Sequence, residues 1–160
     1  MRTSRTDLLG TALIVTGAIA PGVVGSITSD FRSRWYRRLR KPAWQPPGAA
    51  IGAVWTILYA ATALSGSLLW RRREGGSRGA AIWVLFALQS VLNGAYTPIL
   101  TRRRDLRLAT VDSALLCLTV ATMATLAWPR RRLAGALLAP YVAWTVFATF
   151  LSATIVRLNR

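Results

Sequence analysis

The chain has 160 residues, of which 53% are hydrophobic, and 21 lysine and arginine residues against five acidic residues give it a net charge of +16. A soluble domain of this length would not combine this composition with a mean hydropathy of +0.38. The basic residues cluster between apolar runs of about 20 residues, which is the length that crosses a bilayer. This arrangement offers no basic face for a nucleic acid. It predicts a protein of the lipid bilayer whose basic flanks contact anionic headgroups.

Five apolar runs predict an all-α protein, an integral membrane five-helix transmembrane bundle that forms a single domain over residues 1–160. The predicted spans, and the interfacial loop between the first two, are residues 7–27, 51–70, 80–100, 108–128 and 133–156, and residues 28–50. Arg2 and Arg5 ahead of an apolar run are also typical of a signal peptide, but Pro21 would directly follow the cleavage site. We therefore expect the first run to remain as a span, in a multi-pass protein of the bacterial cell-membrane type.

Tryptophans and basic residues give a partial orientation. Trp70, Trp83 and Trp128 fall at span ends on one side of the membrane, as interface-belt residues do. The opposite side, which holds the first and third loops and the C-terminus, carries twelve basic residues, and the side with the tryptophans carries nine. The positive-inside rule therefore places the first and third loops in the cytoplasm by a narrow margin.

The residue types limit the chemistry of the chain. There is no histidine, and Cys117 is the single cysteine. An intrachain disulfide is therefore impossible, and the commonest zinc and haem ligand is missing. Because the five acidic residues are scattered, we expect no metal site, no intrinsic cofactor and no general acid, base or nucleophile for catalysis.

The first loop is the longest and most basic, and it combines charge with aromatic side chains. The basic residues around Trp35 and Tyr36 are Arg32, Arg34, Arg37, Arg38, Arg40 and Lys41. The pattern predicts a short helix in the membrane interface, with its aromatic side chains toward lipid. Two interpretations of the cations remain open, which are lipid anchoring and recognition of an acidic ligand.

A proline-rich segment joins this loop to the second span. Residues 41–48 read Lys-Pro-Ala-Trp-Gln-Pro-Pro-Gly. The prolines fix the backbone and remove amide donors, so the segment cannot continue a helix and is predicted to form a stiff extended lip. Trp55 and Tyr59 follow in the span, one helical turn apart on the same face. A stiff lip over an aromatic wall predicts the mouth of an apolar pocket.

Polar residues inside the third and fourth spans mark faces that point into the bundle. Gln89, Asn93 and Tyr96 lie at positions i, i+4 and i+7 and therefore share one helix face. Asp112 is an acidic residue about one turn inside the fourth span, which makes it a functional candidate. A salt bridge with a basic residue in the segment 102–107 is the simpler interpretation.

Alternation of the spans across the membrane determines which residues share a leaflet. The lip, Trp55, Asn93, Tyr96 and Ala148 all fall in the half beneath the first loop, with Trp144 near the middle. Aromatic walls, a buried amide and an arginine-rich entrance suit a flat apolar ligand with acidic edges, such as a porphyrin. The alternative is that these aromatic side chains only pack a helix bundle.

At these positions the sequence resembles the TspO/MBR family, the tryptophan-rich sensory proteins and translocator proteins once called peripheral benzodiazepine receptors. The resemblance covers about residues 10–160. Its motifs are Trp35-Tyr36, Lys41–Pro47, Val54–Tyr59, Gln89–Asn93, Thr97-Pro98, Pro140–Trp144, Ala148-Thr149 and Leu158-Asn159.

The resemblance implies five transmembrane helices, a homodimer, and a pocket beneath the first loop for tetrapyrroles such as protoporphyrin IX and haem. Synthetic benzodiazepine-site ligands and, in animals, cholesterol also bind family members. By match to the family pattern, Trp55 and Trp144 face the porphyrin, Asn93 forms a polar wall and Ala148 leaves room for the ligand. The other implied ligand residues are Tyr36, Trp44, Pro46, Pro47, Tyr59, Gln89, Tyr96 and Ser152.

The chain departs from the family pattern at several positions. Tyr96 replaces a tryptophan of the third span, and Ile99-Leu100 replaces an aromatic pair after the proline. Ser152 replaces an asparagine of the fifth span. Ala153 replaces the tyrosine of the animal cholesterol motif, which argues against sterol binding.

Three functions follow as alternatives. The first is a membrane sensor or regulator that binds porphyrin and adjusts tetrapyrrole or stress responses. The second is light- and oxygen-dependent porphyrin breakdown, which some bacterial family members are reported to perform and in which Trp55 and Trp144 would take part. The third is a transporter of tetrapyrroles or other small apolar ligands, for which Asp112 is the one intramembrane charge.

Overall fold

The computed structural model describes residues 5–71 and 77–160, which form six α-helices. The helices are α1 (Arg5–Thr28), α2 (Arg34–Arg38), α3 (Gly48–Trp70), α4 (Ser77–Thr101), α5 (Leu106–Ala127) and α6 (Arg132–Leu158). No strand occurs in these two described ranges, and the predicted all-α fold is confirmed. Arg2 and residues 72–76, whose basic side chains entered the charge count above, lie outside the described residues.

Five of the helices are long and apolar enough to cross a membrane, as predicted. These spans are Asp7–Thr28, Gly48–Trp70, Gly79–Thr101, Leu106–Ala127 and Arg132–Leu158. α3 begins at Gly48 rather than at residue 51, because the extended lip ends at Pro47, which occupies the N-cap position with ψ 147°. α4 continues through Pro98 to Thr101, so this proline does not end the helix.

The spanning helices pack in a closed ring. α1 packs against α3 and α4, α6 packs against α3 and α5, and α4 packs against α5. The order around the ring is therefore α1, α3, α6, α5 and α4. α2 and the proline lip connect α1 to α3, so the first loop lies at one end of the ring.

Two groups of buried side chains fill the ring. One group lies nearer the end of the ring at which the chain passes from α3 to α4, and it is centred on Ile14, Ile82, Phe86, Met123 and Leu138. The group nearer the first loop is formed by Leu58, Leu116, Val120 and Tyr141. Trp70 and Trp83 contact each other edge to face with ring centroids 5.3 Å apart, so these two predicted belt residues share one end of the bundle.

The outer surface of the ring is apolar. Large hydrophobic side chains that are between 61% and 74% exposed include Leu13, Ile57, Val84, Leu118 and Phe150. Protein does not cover these side chains, and water would be a poor solvent for so many of them. Helices satisfy their own backbone hydrogen bonds and can therefore present this surface to lipid. The chain is a multi-pass membrane protein.

Candidate ligand pocket

The first loop covers one end of the ring through the short helix α2. The Ser33 hydroxyl caps this helix by accepting a hydrogen bond from the Tyr36 backbone N–H at 3.3 Å. The Tyr36 ring packs edge to face on Phe31, with centroids 4.9 Å apart. Burial raises the pKa of the Tyr36 phenol, and a hydrogen bond from the Gln45 side chain lowers it by less. We call the loop from Ser29 to Pro47 the lid.

Polar and aromatic contacts attach the lid to the C-terminal half of α6 and to Asn159, which follows it. The Asn159 side chain accepts a hydrogen bond from the Arg40 N–H and donates one to the Arg40 carbonyl, both at 2.9 Å. The same amide donates to the Ile155 carbonyl at 2.8 Å. Trp44 stacks on Phe150, with centroids 5.5 Å and planes 20° apart. The lid is therefore fixed to α6 by polar and by aromatic contacts.

A cavity of about 690 Å³ lies beneath the lid, bounded by all five spanning helices. Seven of the predicted ligand residues line this cavity: Tyr36, Trp55, Tyr59, Asn93, Tyr96, Trp144 and Ala148. The volume lies within the range of small-molecule sites, about 300–1,000 Å³. The fold thus brings together side chains from the lid, α3, α4 and α6 that are far apart in sequence.

Trp55 is at the centre of an aromatic wall. Its ring stacks on Tyr59, with centroids 5.6 Å and planes 26° apart. It meets Trp144 edge to face at 6.4 Å and Tyr141 edge to face at 5.8 Å. The wall continues from Trp144 to Phe147 at 5.2 Å. Side chains of this kind offer flat apolar faces to a conjugated ligand.

A chain of hydrogen bonds runs from the cavity wall into the bundle. The Tyr59 hydroxyl donates to Asn93 Oδ1 at 3.2 Å, and Asn93 Nδ2 donates to the Tyr141 hydroxyl. Tyr141 donates to Gln89 Oε1 at 3.0 Å, and Gln89 Nε2 donates to Ser90 Oγ at 2.8 Å. Ser90 donates in turn to a backbone carbonyl of α1 at 2.8 Å. The chain links four helices and fixes the orientation of both amides.

The remaining five predicted ligand residues lie outside the cavity wall. They are Trp44, Pro46, Pro47, Gln89 and Ser152. Gln89 is 2% exposed and belongs to the hydrogen-bond chain, and Ser152 Oγ lies 2.8 Å from the Tyr96 hydroxyl as its hydrogen-bond partner. Trp44 and the two prolines belong to the lid. Ligand contacts stay predictions for all twelve residues, including the seven that line the cavity.

Several wall residues were not among the predicted ligand residues. α1 contributes Gly22 and Ser26, small side chains without a chemical signal of their own. Phe147 also lines the cavity, and its position three residues after Trp144 puts both on one helix face, so this residue could have been found. Tyr141 does not line the cavity but supports its wall through the edge-to-face contact with Trp55.

Asp112 lies apart from the cavity wall. It is 5% exposed, and no described residue donates a hydrogen bond to its buried Oδ2 atom. The salt bridge with the segment 102–107, the simpler interpretation of Asp112, therefore does not engage this oxygen atom. Arg102 instead donates to the Thr28 carbonyl at 3.2 Å and closes the end of α1, while Arg107 is exposed.

The part of the cavity wall that the structure describes carries no formal charge, because none of its lining residues is acidic or basic. Its polar groups are hydroxyls, phenols, amides and the indole N–H groups of Trp55 and Trp144. The amide of Asn93 is already engaged on both of its atoms by Tyr59 and Tyr141. A ligand body would therefore be held mainly through packing against the aromatic rings.

Comparison with known proteins agrees with this architecture. The sequence model of the TspO/MBR family matches residues 11–158. The tryptophan-rich protein TspO of Bacillus cereus is 34% identical over 136 residues, which cover 85% of this chain and 88% of the relative. The human translocator protein is 38% identical over 79% of this chain and 75% of its own length. Protein CrtK of Rhodobacter capsulatus is 31% identical over 92% and 91%.

The match therefore covers nearly the whole chain, and relatives of bacterial origin are among those found. It includes the lid, four complete spanning helices, α1 from residue 11 onward, and every described residue of the cavity wall. The chain belongs to the TspO/MBR family, as a multi-pass protein of a bacterial membrane.

Proposed function

We propose that the protein binds a tetrapyrrole, protoporphyrin IX or haem, in the cavity beneath the lid, and acts as a sensor or regulator of tetrapyrrole or stress responses. The observation that carries this proposal is the aromatic wall, in which Trp55 and Trp144 meet at right angles with centroids 6.4 Å apart. Flat conjugated rings stack favourably on such side chains.

The size and charge of the site also support a tetrapyrrole. The cavity of about 690 Å³ is lined by uncharged residues, which suits an apolar ring system. The lid above it carries six basic residues, which include Arg40 and Lys41. An apolar site with a basic entrance matches a ligand with an apolar body and acidic edges.

The test is a titration of detergent-purified protein with protoporphyrin IX in the dark, followed by tryptophan quenching. We expect saturable quenching that is lost in Trp144→Ala. Trp128→Ala serves as the control, because Trp128 is half exposed and lies at the opposite end of α5 from the lid. Absence of saturable quenching in the wild type would contradict porphyrin binding. The departures from the family pattern at Tyr96 and Ser152 would then indicate a different ligand.

Light-dependent porphyrin breakdown is the alternative function, and the same pair of indoles favours it. Trp55 and Trp144 both line the cavity, where they would contact an excited porphyrin in the presence of oxygen. If breakdown occurs, Trp55→Phe and Trp144→Phe should stop the loss of porphyrin absorbance under light while dark binding is largely kept. Unchanged photobleaching in both variants would exclude a role for these indoles.

Transport of tetrapyrroles or other small apolar ligands is a further alternative, for which buried Asp112 is the relevant observation. Acidic residues inside spanning helices mark proton and substrate pathways in many transporters. Uptake of porphyrin into vesicles that contain the protein should then depend on Asp112, and Asp112→Asn should abolish it. Equal uptake by wild-type and Asp112→Asn vesicles would remove this support.

We also propose that the protein forms a homodimer, as the family resemblance implies. The exposed apolar faces of its helices can pack against lipid or against a second copy. Cross-linking in native membranes, compared with the mass of the detergent-solubilised protein, tests this proposal. A monomer in both preparations would contradict it.

A further inference from the structure

The uncharged cavity wall raises the question of where the carboxylates of an acidic ligand would lie. Burial of an ionised carboxylate without a partner is strongly unfavourable. None of the described residues that line the cavity can neutralise a carboxylate by charge. An ionised carboxylate is therefore better placed at the rim of the cavity, where a side chain of the lid contacts the wall.

Lys41 is a lid cation that the structure holds against a residue of the cavity wall. Its Nζ atom donates a hydrogen bond to the Tyr36 carbonyl at 2.6 Å and lies 4.3 Å from the centroid of the Tyr36 ring. Tyr36 itself lines the cavity. An ammonium group has three donors, and the Tyr36 carbonyl uses one of them. Partial burial lowers the pKa of Lys41, so a nearby carboxylate would be a favourable partner.

The backbone on both sides of Lys41 is fixed. The Asn159 amide binds the N–H and the carbonyl of Arg40, directly before it. The Gln45 N–H donates to the Pro42 carbonyl at 3.0 Å, directly after it. Lys41 is therefore preorganised, which reduces the entropy lost when it binds a ligand.

Other arginines of the lid are placed differently. Arg34, Arg37 and Arg38 are exposed. These side chains can attract an acidic ligand at long range, but their contribution is screened by salt and does not depend on a fixed position. Arg38 thus serves as a matched control for the general charge of the lid.

We propose that Lys41 is the carboxylate-binding residue of the ligand site, with the acidic edge of the ligand at the rim beside Tyr36 and its apolar body against Trp55 and Trp144. This inference rests on the proposed porphyrin binding. It assigns the discrimination between acidic and uncharged tetrapyrroles to one side chain of the lid.

The test compares protoporphyrin IX with its dimethyl ester, which has the same ring and no ionisable carboxyl group. We expect Lys41→Met to weaken binding of the diacid by about three- to tenfold, since a partly exposed charge-assisted hydrogen bond is lost, and to change ester binding by less than about twofold. Lys41→Arg should restore most of the diacid affinity. Arg38→Gln should leave the ratio of the two affinities close to that of the wild type.

The outcomes separate this inference from the proposed function. If the wild type binds neither compound, porphyrin binding fails and the inference fails with it. If both compounds bind and Lys41→Met weakens them equally, or weakens neither, the assignment of Lys41 is overturned while porphyrin binding stands. An equal loss of diacid affinity in Arg38→Gln also overturns it, because general charge attraction then explains the effect. Retained ester binding by Lys41→Met shows that this variant is folded.

Discussion

At the scale of single residues, the polar groups inside this apolar bundle are joined to one another. Tyr141 has a central position, because its hydroxyl accepts from Asn93 and donates to Gln89. Asn93 and Gln89 are 6% and 2% exposed, so neither amide can turn to water instead. Removal of one hydroxyl would leave two buried amides each short of one partner, which costs more than the loss of an exposed hydrogen bond.

We therefore expect Tyr141→Phe to lower the free energy of unfolding by about 1–2 kcal/mol, from two interhelical hydrogen bonds in a membrane interior. Tyr59→Phe removes only the bond to Asn93 at the cavity end of the chain and should cost about 0.5 kcal/mol. Thermal unfolding of both variants in the same detergent measures the difference. Equal losses of unfolding free energy in the two variants would mean that the chain of hydrogen bonds does not act as a connected unit.

Tyr36 gives a prediction for pH dependence. Burial raises the pKa of its phenol above the ordinary value of 10.0. Between pH 10 and the raised pKa the unfolded chain loses this proton and the folded protein keeps it, so the unfolding free energy falls as pH rises through this window. The melting temperature of the wild type should therefore fall more steeply above pH 10 than that of Tyr36→Phe. Parallel pH profiles would show that the phenol is not desolvated in the folded lid.

At the scale of helices, close approach of α1 to α3 shapes one side of the cavity. A Cβ atom placed on Gly22 would lie 2.6 Å from Cε2 of Tyr59, so a larger residue must displace that ring. Tyr59 stacks on Trp55 and donates to Asn93, and both contacts belong to the wall. The small residue on α1 thus permits the aromatic arrangement on α3.

Gly22→Ala should accordingly weaken porphyrin binding by several-fold, on the order of 1 kcal/mol, because overpacking moves Tyr59. Gly52→Ala is the matched control. Gly52 also lines the cavity on α3, but a Cβ there meets no atom within 4 Å. Dark quenching titrations of the two variants provide the comparison. A similar affinity in both would show that the Tyr59 position does not matter for the ligand.

Local features of this chain could be predicted from sequence, and long-range features could not. Run length predicts the five spans, and helical spacing places Trp55 with Tyr59 on one face. The same spacing places Gln89 in the bundle interior, where it is buried. Gln89 lies one helical turn before Asn93, however, and α4 lines the cavity only from Asn93 onward. Sequence alternation does not specify the order of helices around the ring, so the contact of Tyr141 with Trp55 could not be anticipated. The sequence also does not predict that Trp44 stacks on Phe150.

At the scale of the whole molecule, the lid is fastened to the far end of the chain. Arg40 and Asn159 are 119 positions apart, yet two hydrogen bonds of 2.9 Å join them. Trp44 adds an aromatic contact with α6. α6 also supplies Trp144 and Ala148 to the cavity wall. One helix therefore carries both the wall that would contact a ligand and the attachment that holds the lid over it, so lid opening requires separation from α6.

Asn159→Ala should loosen this attachment without altering the cavity. Arg40 and Asn159 do not line the cavity, so we expect their two hydrogen bonds in the closed state both with and without ligand. The loss of these bonds should then stabilise the open state relative to both closed states. Association and dissociation of protoporphyrin IX should both become faster by about three- to tenfold, with a much smaller change in affinity. Stopped-flow tryptophan quenching measures both rates, and Arg160→Ala, a change at the exposed neighbouring residue, is the control. Faster dissociation alone, with affinity lost in proportion, would instead mean that Asn159 stabilises only the liganded state.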